Sequence, residues 1–194
     1  MLRPVALNPH PSALLATLGG AAGTVLLTAL LFLSPALGVP FVDVPRLIGG
    51  VFTSDPAAAF WLGYAIFFLG GWLVFPVGLA MAWPLLPGGA EVTFPHALVK
   101  GLLLGAAFWT LSGLLLPLLG ALSRLDGMAN PGFFALGEGV PAAAVVLLGH
   151  LLYGVAVAVV AAMSRGMAPI DLLGWSEYER RGRVRGAAAA SGSR

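Results

Sequence analysis

The sequence predicts an all-α membrane protein: a bundle of four transmembrane helices built from two repeated hairpins, with short interfacial helices in the outer loops. Three observations support this fold class. The 194 residues are 59% hydrophobic and 9% charged, with mean hydropathy +0.95, whereas soluble domains contain about 25% charged residues. Four long stretches are almost free of charge, and one segment occurs twice.

The repeated segment is Gly19–Gly38, which falls on Gly101–Gly120 when it is shifted by 82 residues, from 19 to 101. Gly, Pro and Thr seldom coincide by chance in a sequence rich in Leu and Ala. The aligned residues are Gly19, Gly23, Thr28, Pro35 and Gly38 with Gly101, Gly105, Thr110, Pro117 and Gly120. We predict two parallel hairpins related by rotation about an axis along the membrane normal.

The predicted spans cover residues 12–34, 57–81, 98–122 and 141–163. Each can cross roughly 30 Å of hydrocarbon at about 1.5 Å per residue. Asp55 and Pro56 suit the start of the second span, and Pro76 predicts a kink inside it. A cleaved signal peptide is the rival interpretation of the first stretch, since Arg3 precedes it. Its length and its repetition favour a retained span.

The four-span domain, residues 12–165, lies between a polar lead and a basic tail. The lead is residues 1–11, and the tail, residues 166–194, should be disordered from about residue 186. The tail's basic cluster follows aromatic residues and suits anionic lipid headgroups; it consists of Arg180, Arg181, Arg183 and Arg185. Because the aromatic–basic interleaving of single-strand binders is absent, no nucleic-acid partner is predicted.

Positive charge predicts the orientation. With four spans both termini share one side, which holds eight of the ten Lys and Arg residues, while Arg46 and Arg124 lie on the other. Positive residues stay on the cytoplasmic side, so both termini are predicted to be cytoplasmic in a plasma membrane. Lys100, at the start of the third span, is expected to snorkel towards that surface.

The two outer loops, residues 39–55 and 123–140, share a pattern. Asp43 and Asp126 each precede an apolar octet that begins near a proline. Such a segment is too short to span a membrane and too apolar to stand in water. We predict that each forms a short helix that either lies in the outer interface or packs back onto the bundle.

Small residues recur at helical spacing. Gly19 and Gly23 form a GxxxG pair in the first span, and Gly101 and Gly105 form another in the third. Glycines let transmembrane helices approach closely, so we expect these pairs, with Gly71 and Gly154, at helix contacts inside the bundle. A dimer interface is the alternative.

His150 is the one histidine well inside a span, where ionisable groups are costly. One interpretation is structural: a neutral imidazole hydrogen-bonded to Ser112, Thr110 or Tyr153. A second makes it a proton- or solute-handling group in a polar path with Thr28, Thr110 and Ser112. A third makes it a metal or haem ligand, although no second histidine lies at membrane depth.

Catalytic motifs are weak. Ser112-Gly113 with His150 resembles the serine–histidine dyad of rhomboid proteases, but Thr110 stands where their motif has glycine, and four spans fall short of six. No phosphate-binding loop or metal-spaced cluster is present, and the chain has no cysteine. We predict no enzyme, no cofactor and no metal.

Three blocks, residues 23–28, 42–49 and 149–154, resemble a family of small four-span bacterial and archaeal membrane proteins of unknown function. The resemblance covers about residues 12–165 and implies the fold without an activity. In that family, span two often carries a histidine four residues before a glycine, where this chain has Phe67 before Gly71. At a shift of 83 residues, Phe67 matches His150, so half of any paired-histidine site is missing here.

The leading functional hypothesis is a non-catalytic membrane protein, either an accessory or assembly subunit of a larger complex or a self-associating bundle. The alternative is a small transporter or channel for a proton or small solute, formed by oligomerisation. An ion transporter usually keeps an acid within the membrane, and none lies in these spans.

Overall fold

A computed structural model describes residues 12–87 and 94–163 of the chain. These residues form α1 (Ala13–Leu33), α2 (Val44–Phe52), α3 (Pro56–Leu69), α4 (Phe75–Ala82), α5 (Phe94–Leu122) and α6 (Val140–Met163). Shorter 3-10 segments occupy Ser34–Leu37, Trp83–Leu85 and Phe133–Glu138, and a π-helical turn occupies Gly70–Val74. The described part contains no strand.

Four stretches are long and apolar enough to cross a membrane: Ala13–Leu37, Pro56–Leu85, Phe94–Leu122 and Val140–Met163. We call them spans one to four. The predicted all-α class with four spans is confirmed, and the chain is a multi-pass membrane protein. Span two is composite, because it consists of α3, the π-helical turn, α4 and a final 3-10 turn.

Short polar side chains set the helix starts. Ser12 accepts from the N–H of Leu15 at the start of α1, and Asp55 accepts from the N–H of Ala58 at 2.6 Å, with Pro56 as the first residue of α3. These caps satisfy N–H groups that have no partner inside the helix. The sequence marks these starts because a cap needs only local residues.

Pro76 follows the π-helical turn directly. A proline has no N–H and its ring crowds the preceding turn. Here the N–H of Phe75 bonds the carbonyl of Gly70, five residues back, so the turn widens just before the proline. The expected irregularity of span two therefore takes the form of a π-helical turn.

Span four is the centre of the bundle, with spans one and three packed along two of its sides. In its most apolar window 44% of residues are buried, against 17% for span three. An added Cβ at Gly19 would lie 2.8 Å from the Cα of Val157, and one at Gly101 would lie 2.7 Å from the Cα of Val155. Contacts this close require glycine.

The two GxxxG pairs therefore meet the same helix. Gly23 faces Tyr153, and Gly105 faces the backbone at His150 and Leu151. The first pair makes a contact between hairpins, whereas the second makes a contact within its own hairpin. The pairs match in sequence but their contacts are not equivalent, and the rotational relationship between the hairpins stays a prediction.

The two outer loops differ in structure. The first contains α2, whose Gly49 lies against the backbone of Ala59 in α3. The second forms the 3-10 segment Phe133–Glu138, in which Phe134 and Ala135 have φ of 56° and 63°. The ring of Phe134 packs on Trp109 with centroids 4.6 Å apart. This loop is drawn onto α5 and forms no regular α-helix.

Lys100 does not extend to the surface as expected. It is fully buried, and its Nζ donates to the carbonyl of Trp83 at 3.2 Å while lying 4.2 Å from the centre of the Trp83 ring. Trp83, in the final turn of span two, is also fully buried. The contact with the aromatic ring and the carbonyl replaces part of the ammonium's hydration.

Candidate functional site

Spans two and three stand apart over most of their length. Their aromatic side chains meet at one level, where the rings of Phe75 and Phe108 have centroids 3.8 Å apart. This pair divides the gap into two parts. We call the part towards the predicted outer loops the outer cavity and the part towards the opposite ends of the spans the inner groove.

The outer cavity has a volume of about 220 Å³. Ile66 and Phe67 line it from α3, Leu111 and Leu115 line it from α5, and Ile48 lies at its outer end. The side chains that line the cavity are hydrocarbon or aromatic except for two, which are Ser112 and His150. It is therefore an apolar space with one polar pair.

His150 lies at a contact between spans three and four. Its Nε2 is 3.1 Å from Ser112 Oγ, and its Nδ1 is 2.7 Å from the carbonyl of Val146, one turn earlier in α6. The Phe108 ring meets the imidazole edge to face at 4.9 Å. Only 6% of the residue is exposed, so packing and these polar contacts fix the ring.

These distances determine the tautomer. A carbonyl oxygen can only accept, so Nδ1 carries the hydrogen that points to Val146. In the uncharged ring Nε2 is then an acceptor, and Ser112 is its donor. Ser112 Oγ also lies 3.1 Å from the carbonyl of Trp109. Its single hydrogen must therefore choose between the imidazole and that carbonyl.

The two threonines proposed for a polar path lie elsewhere. Thr28 donates to the carbonyl of Thr24, and Thr110 donates to the carbonyl of Ala106, both at about one turn within their own helices. Thr110 is exposed on α5. The structure thus brings Ser112 to His150 and leaves Thr28 and Thr110 outside this cluster.

Tyr153 lies one turn from His150 and points to span two. Its hydroxyl donates to the carbonyl of Gly71 at 2.7 Å. Gly71 also faces the hydroxyl of Thr24, and Gly154 faces the backbone of Gly101 and Gly105. The small residues named from the sequence therefore lie at helix contacts, where they set the position of His150 and Tyr153.

The inner groove has a volume of about 380 Å³. Gly78 and Ala82 line it from α4, and Leu103 and Ala107 line it from α5. An added Cβ at Gly78 would meet nothing within 4 Å. Gly78 and Ala82 are four residues apart and share one face of α4, but the sequence does not show which helix lies across the groove.

Residues 11–171 match the family model described as "Family of unknown function (DUF6789)". The chain belongs to this family. The match confirms the resemblance to small membrane proteins of unknown function that the sequence blocks suggested. No curated protein and no solved structure matches the chain significantly.

In this DUF6789 chain, Phe67 and His150, which correspond at a shift of 83 residues, line the same outer cavity from spans two and four. Among residues 12–87 and 94–163 no three His, Asp or Glu side chains come together as metal ligands. The four tail arginines expected to bind headgroups, Arg180, Arg181, Arg183 and Arg185, lie outside the described residues.

Proposed function

We propose that this DUF6789 protein is a non-catalytic membrane protein that acts by lateral association, as an accessory or assembly subunit or as a self-associating bundle. The inner groove carries the proposal. It runs along the membrane-embedded face between spans two and three and is lined by small residues at Gly78, Ala82 and Ala107. Transmembrane helices associate where small residues let their backbones approach.

Gly78 differs from the glycines at the centre of the bundle. At Gly19, Gly101 and Gly105 an added Cβ would meet the backbone of span four, so these glycines already have a partner helix. At Gly78 the same space is open. A helix of a second copy or of another subunit would give Gly78 the contact that the other glycines have within the chain.

The outer cavity supports a non-catalytic role. Ser112 Oγ and His150 Nε2 are close enough for proton transfer. However, a serine nucleophile also needs donors that stabilise an oxyanion, and the other side chains that line the cavity are apolar. The pair therefore fits hydrogen bonding within the bundle better than acyl transfer.

The alternative proposal, a small transporter or channel, has less support. A polar path for a solute would need Thr28 and Thr110, but the hydroxyls of both residues donate to carbonyls of their own helices. In the described residues these groups do not line the outer cavity with His150. Any such path would have to be completed by other subunits.

We also propose a cytoplasmic membrane location, with both termini inside and the tail arginines on anionic headgroups. The support is the distribution of charge along the sequence: eight Lys and Arg residues on the proposed inner side and two on the outer. Lys100, near the inner end of span three, is consistent with this assignment.

Disulfide crosslinking tests the association, because the natural chain has no cysteine. In oxidised native membranes, Ala82→Cys should give a crosslinked dimer of the 19.8 kDa chain if the bundle self-associates. Ala65→Cys, on an exposed face of span two, is the matched control. If the groove instead receives another subunit, a stoichiometric complex should form in gentle detergent and should be lost in Gly78→Leu.

The proposal would be refuted if Ala82→Cys gave no crosslinked dimer and the wild-type chain gave no stoichiometric complex. Retention of either assembly in Gly78→Leu would show that the association does not use the inner groove. The leucine itself should be tolerated by the monomer, since nothing lies within 4 Å of the position of its Cβ.

A further inference from the structure

The outer cavity is large enough for a guest. An apolar cavity of about 150 Å³ in another protein stays dry and binds benzene, and this one measures about 220 Å³. It opens between spans two and three, where few side chains bridge the gap. A molecule dissolved in the hydrocarbon layer could reach it sideways.

The polar pair restricts the chemistry of that guest. In the uncharged ring, Nδ1–H is used by the Val146 carbonyl, and the Ser112 hydrogen is used by either Nε2 or the Trp109 carbonyl. When the Ser112 hydrogen points to Nε2, the lone pairs of Ser112 Oγ can still accept a hydrogen bond. When it points to the Trp109 carbonyl, Nε2 can accept one as well. Both arrangements offer an acceptor and neither offers a free donor.

The depth of the pair restricts the guest further. His150 is within span four, and the other side chains around the cavity are apolar. A charged or zwitterionic headgroup placed here would lose its hydration without compensation. The complementary group is therefore small, uncharged and able to donate one hydrogen bond, which is the chemistry of an alcohol.

We propose that the outer cavity binds an apolar alcohol, whose hydroxyl donates to the Ser112–His150 pair while its hydrocarbon body lies against α3 and α5. Gly70 provides a way to block the site. It lines the cavity, and an added Cβ would approach only the Phe75 ring, at 3.7 Å. A leucine side chain there would occupy the cavity.

Photolabelling of the full chain in phosphatidylcholine vesicles tests the proposal. The probe is a diazirine analogue of hexadecan-1-ol, and its methyl ether is the matched probe without a donor hydrogen. The alcohol should label the Leu111–Leu119 segment of α5, and unlabelled hexadecan-1-ol should displace it. The ether should label this segment about five-fold less, the ratio expected for one net hydrogen bond.

Variants separate the polar pair from the cavity itself. Gly70→Leu should abolish the displaceable labelling. Ser112→Ala should keep the preference for the alcohol, because Nε2 then becomes its acceptor. The double variant Ser112→Ala with His150→Leu should label equally with both probes. Thr110→Val removes an exposed hydroxyl from the same helix and should behave like the wild type.

Equal labelling of the wild type by the alcohol and the ether would overturn the proposal without any mutation. Labelling that survives Gly70→Leu would overturn it as well, because the probe would then lie on the lipid-facing surface. The outer cavity and the inner groove lie on opposite sides of the Phe75–Phe108 contact. Each site can therefore fail its test without affecting the other.

Discussion

The hydroxyl of Tyr153 in span four donates to the main-chain carbonyl of Gly71 in span two, at 2.7 Å. The N–H of Phe75 donates to the carbonyl of Gly70, five residues back. In the same pattern the carbonyl of Gly71 would accept from the N–H of residue 76. That residue is Pro76, which has no N–H. Tyr153 thus supplies the donor that the backbone of span two lacks, at a depth where water cannot.

Tyr153→Phe should lower the free energy of unfolding by about 1–2 kcal/mol, because it leaves a buried carbonyl unsatisfied. In a Pro76→Ala background the alanine restores an N–H at position 76. Tyr153→Phe should therefore lower the free energy of unfolding clearly less in that background. A double-mutant cycle, measured by reversible unfolding in mixed micelles, gives the coupling between the two positions. Equal costs in both backgrounds would show that the tyrosine does not replace the missing N–H.

Gly105→Ala should destabilise the bundle by about 1–3 kcal/mol, because its methyl group would meet the backbone of span four and force the helices apart. Gly78→Ala, where nothing lies within 4 Å, should be neutral or slightly stabilising in the monomer. Unfolding in micelles compares the two. A similar loss of stability in both variants would contradict the assignment of Gly105 to a helix contact.

His150→Gln should leave stability nearly unchanged, since glutamine can still hydrogen-bond Ser112. His150→Leu should cost about 0.6 kcal/mol, the average for intramembrane hydrogen bonds. Thr28→Val, which removes a hydroxyl bonded within its own helix, is the control. If a cellular activity is found and both His150 variants abolish it alike without loss of stability, the ring has a proton or ligand role beyond packing.

Asp43 in the first outer loop predicts a pH dependence of stability. Burial raises the pKa of Asp43 above the ordinary 3.8. The hydrogen bond from the Arg46 N–H, the Arg46 charge and the Tyr64 hydroxyl lower this pKa, but burial has the larger effect. The folded chain therefore holds the proton more tightly than the unfolded chain. The resulting stability is fully present below pH 3.8 and is lost as pH rises through the raised pKa.

Asp43→Asn keeps a side chain that can cap α2 but cannot ionise. The thermal unfolding midpoint of the wild type should decline as the pH rises above 3.8, and this decline should be smaller in Asp43→Asn. Asp55→Asn, at the exposed cap of α3, is the matched control. Identical pH profiles for Asp43→Asn and the wild type would show that Asp43 does not cause the pH dependence of stability.

Reporter fusions test the orientation. A reporter fused after Arg185 should report the cytoplasm, and one inserted near Asn130 should report the outside, because eight of the ten Lys and Arg residues lie on the side that holds the termini. Paired alkaline phosphatase and green fluorescent protein fusions at each site give opposite readouts. A tail on the outside would overturn the orientation.

The features that depend on local sequence could be predicted. A span needs a long apolar run, a cap needs one short polar side chain such as Asp55, and a close contact needs a glycine such as Gly101. Each of these signals lies within a few residues of the structure it specifies. The four spans and the positions of the packing glycines follow from them.

The contacts between spans could not be predicted in the same way. In a lipid environment the outer and inner faces of a helix are both apolar, so periodicity does not show which face points inward. The sequence therefore could not show that Gly23 and Gly105 meet the same helix, nor that Phe75 meets Phe108. Lys100 was misplaced for a related reason: its partner, Trp83, is supplied by another span.

The central place of span four has a consequence for biosynthesis. Chains are made from the N-terminus, so α1 and α5 leave the ribosome before α6 does. The faces formed by their GxxxG pairs lack the contact with span four until α6, the fourth of the described spans, enters the bilayer. Until then they are open to the lipid. A nascent chain stalled before residue 140 thus exposes both faces, and arrival of α6 covers them together.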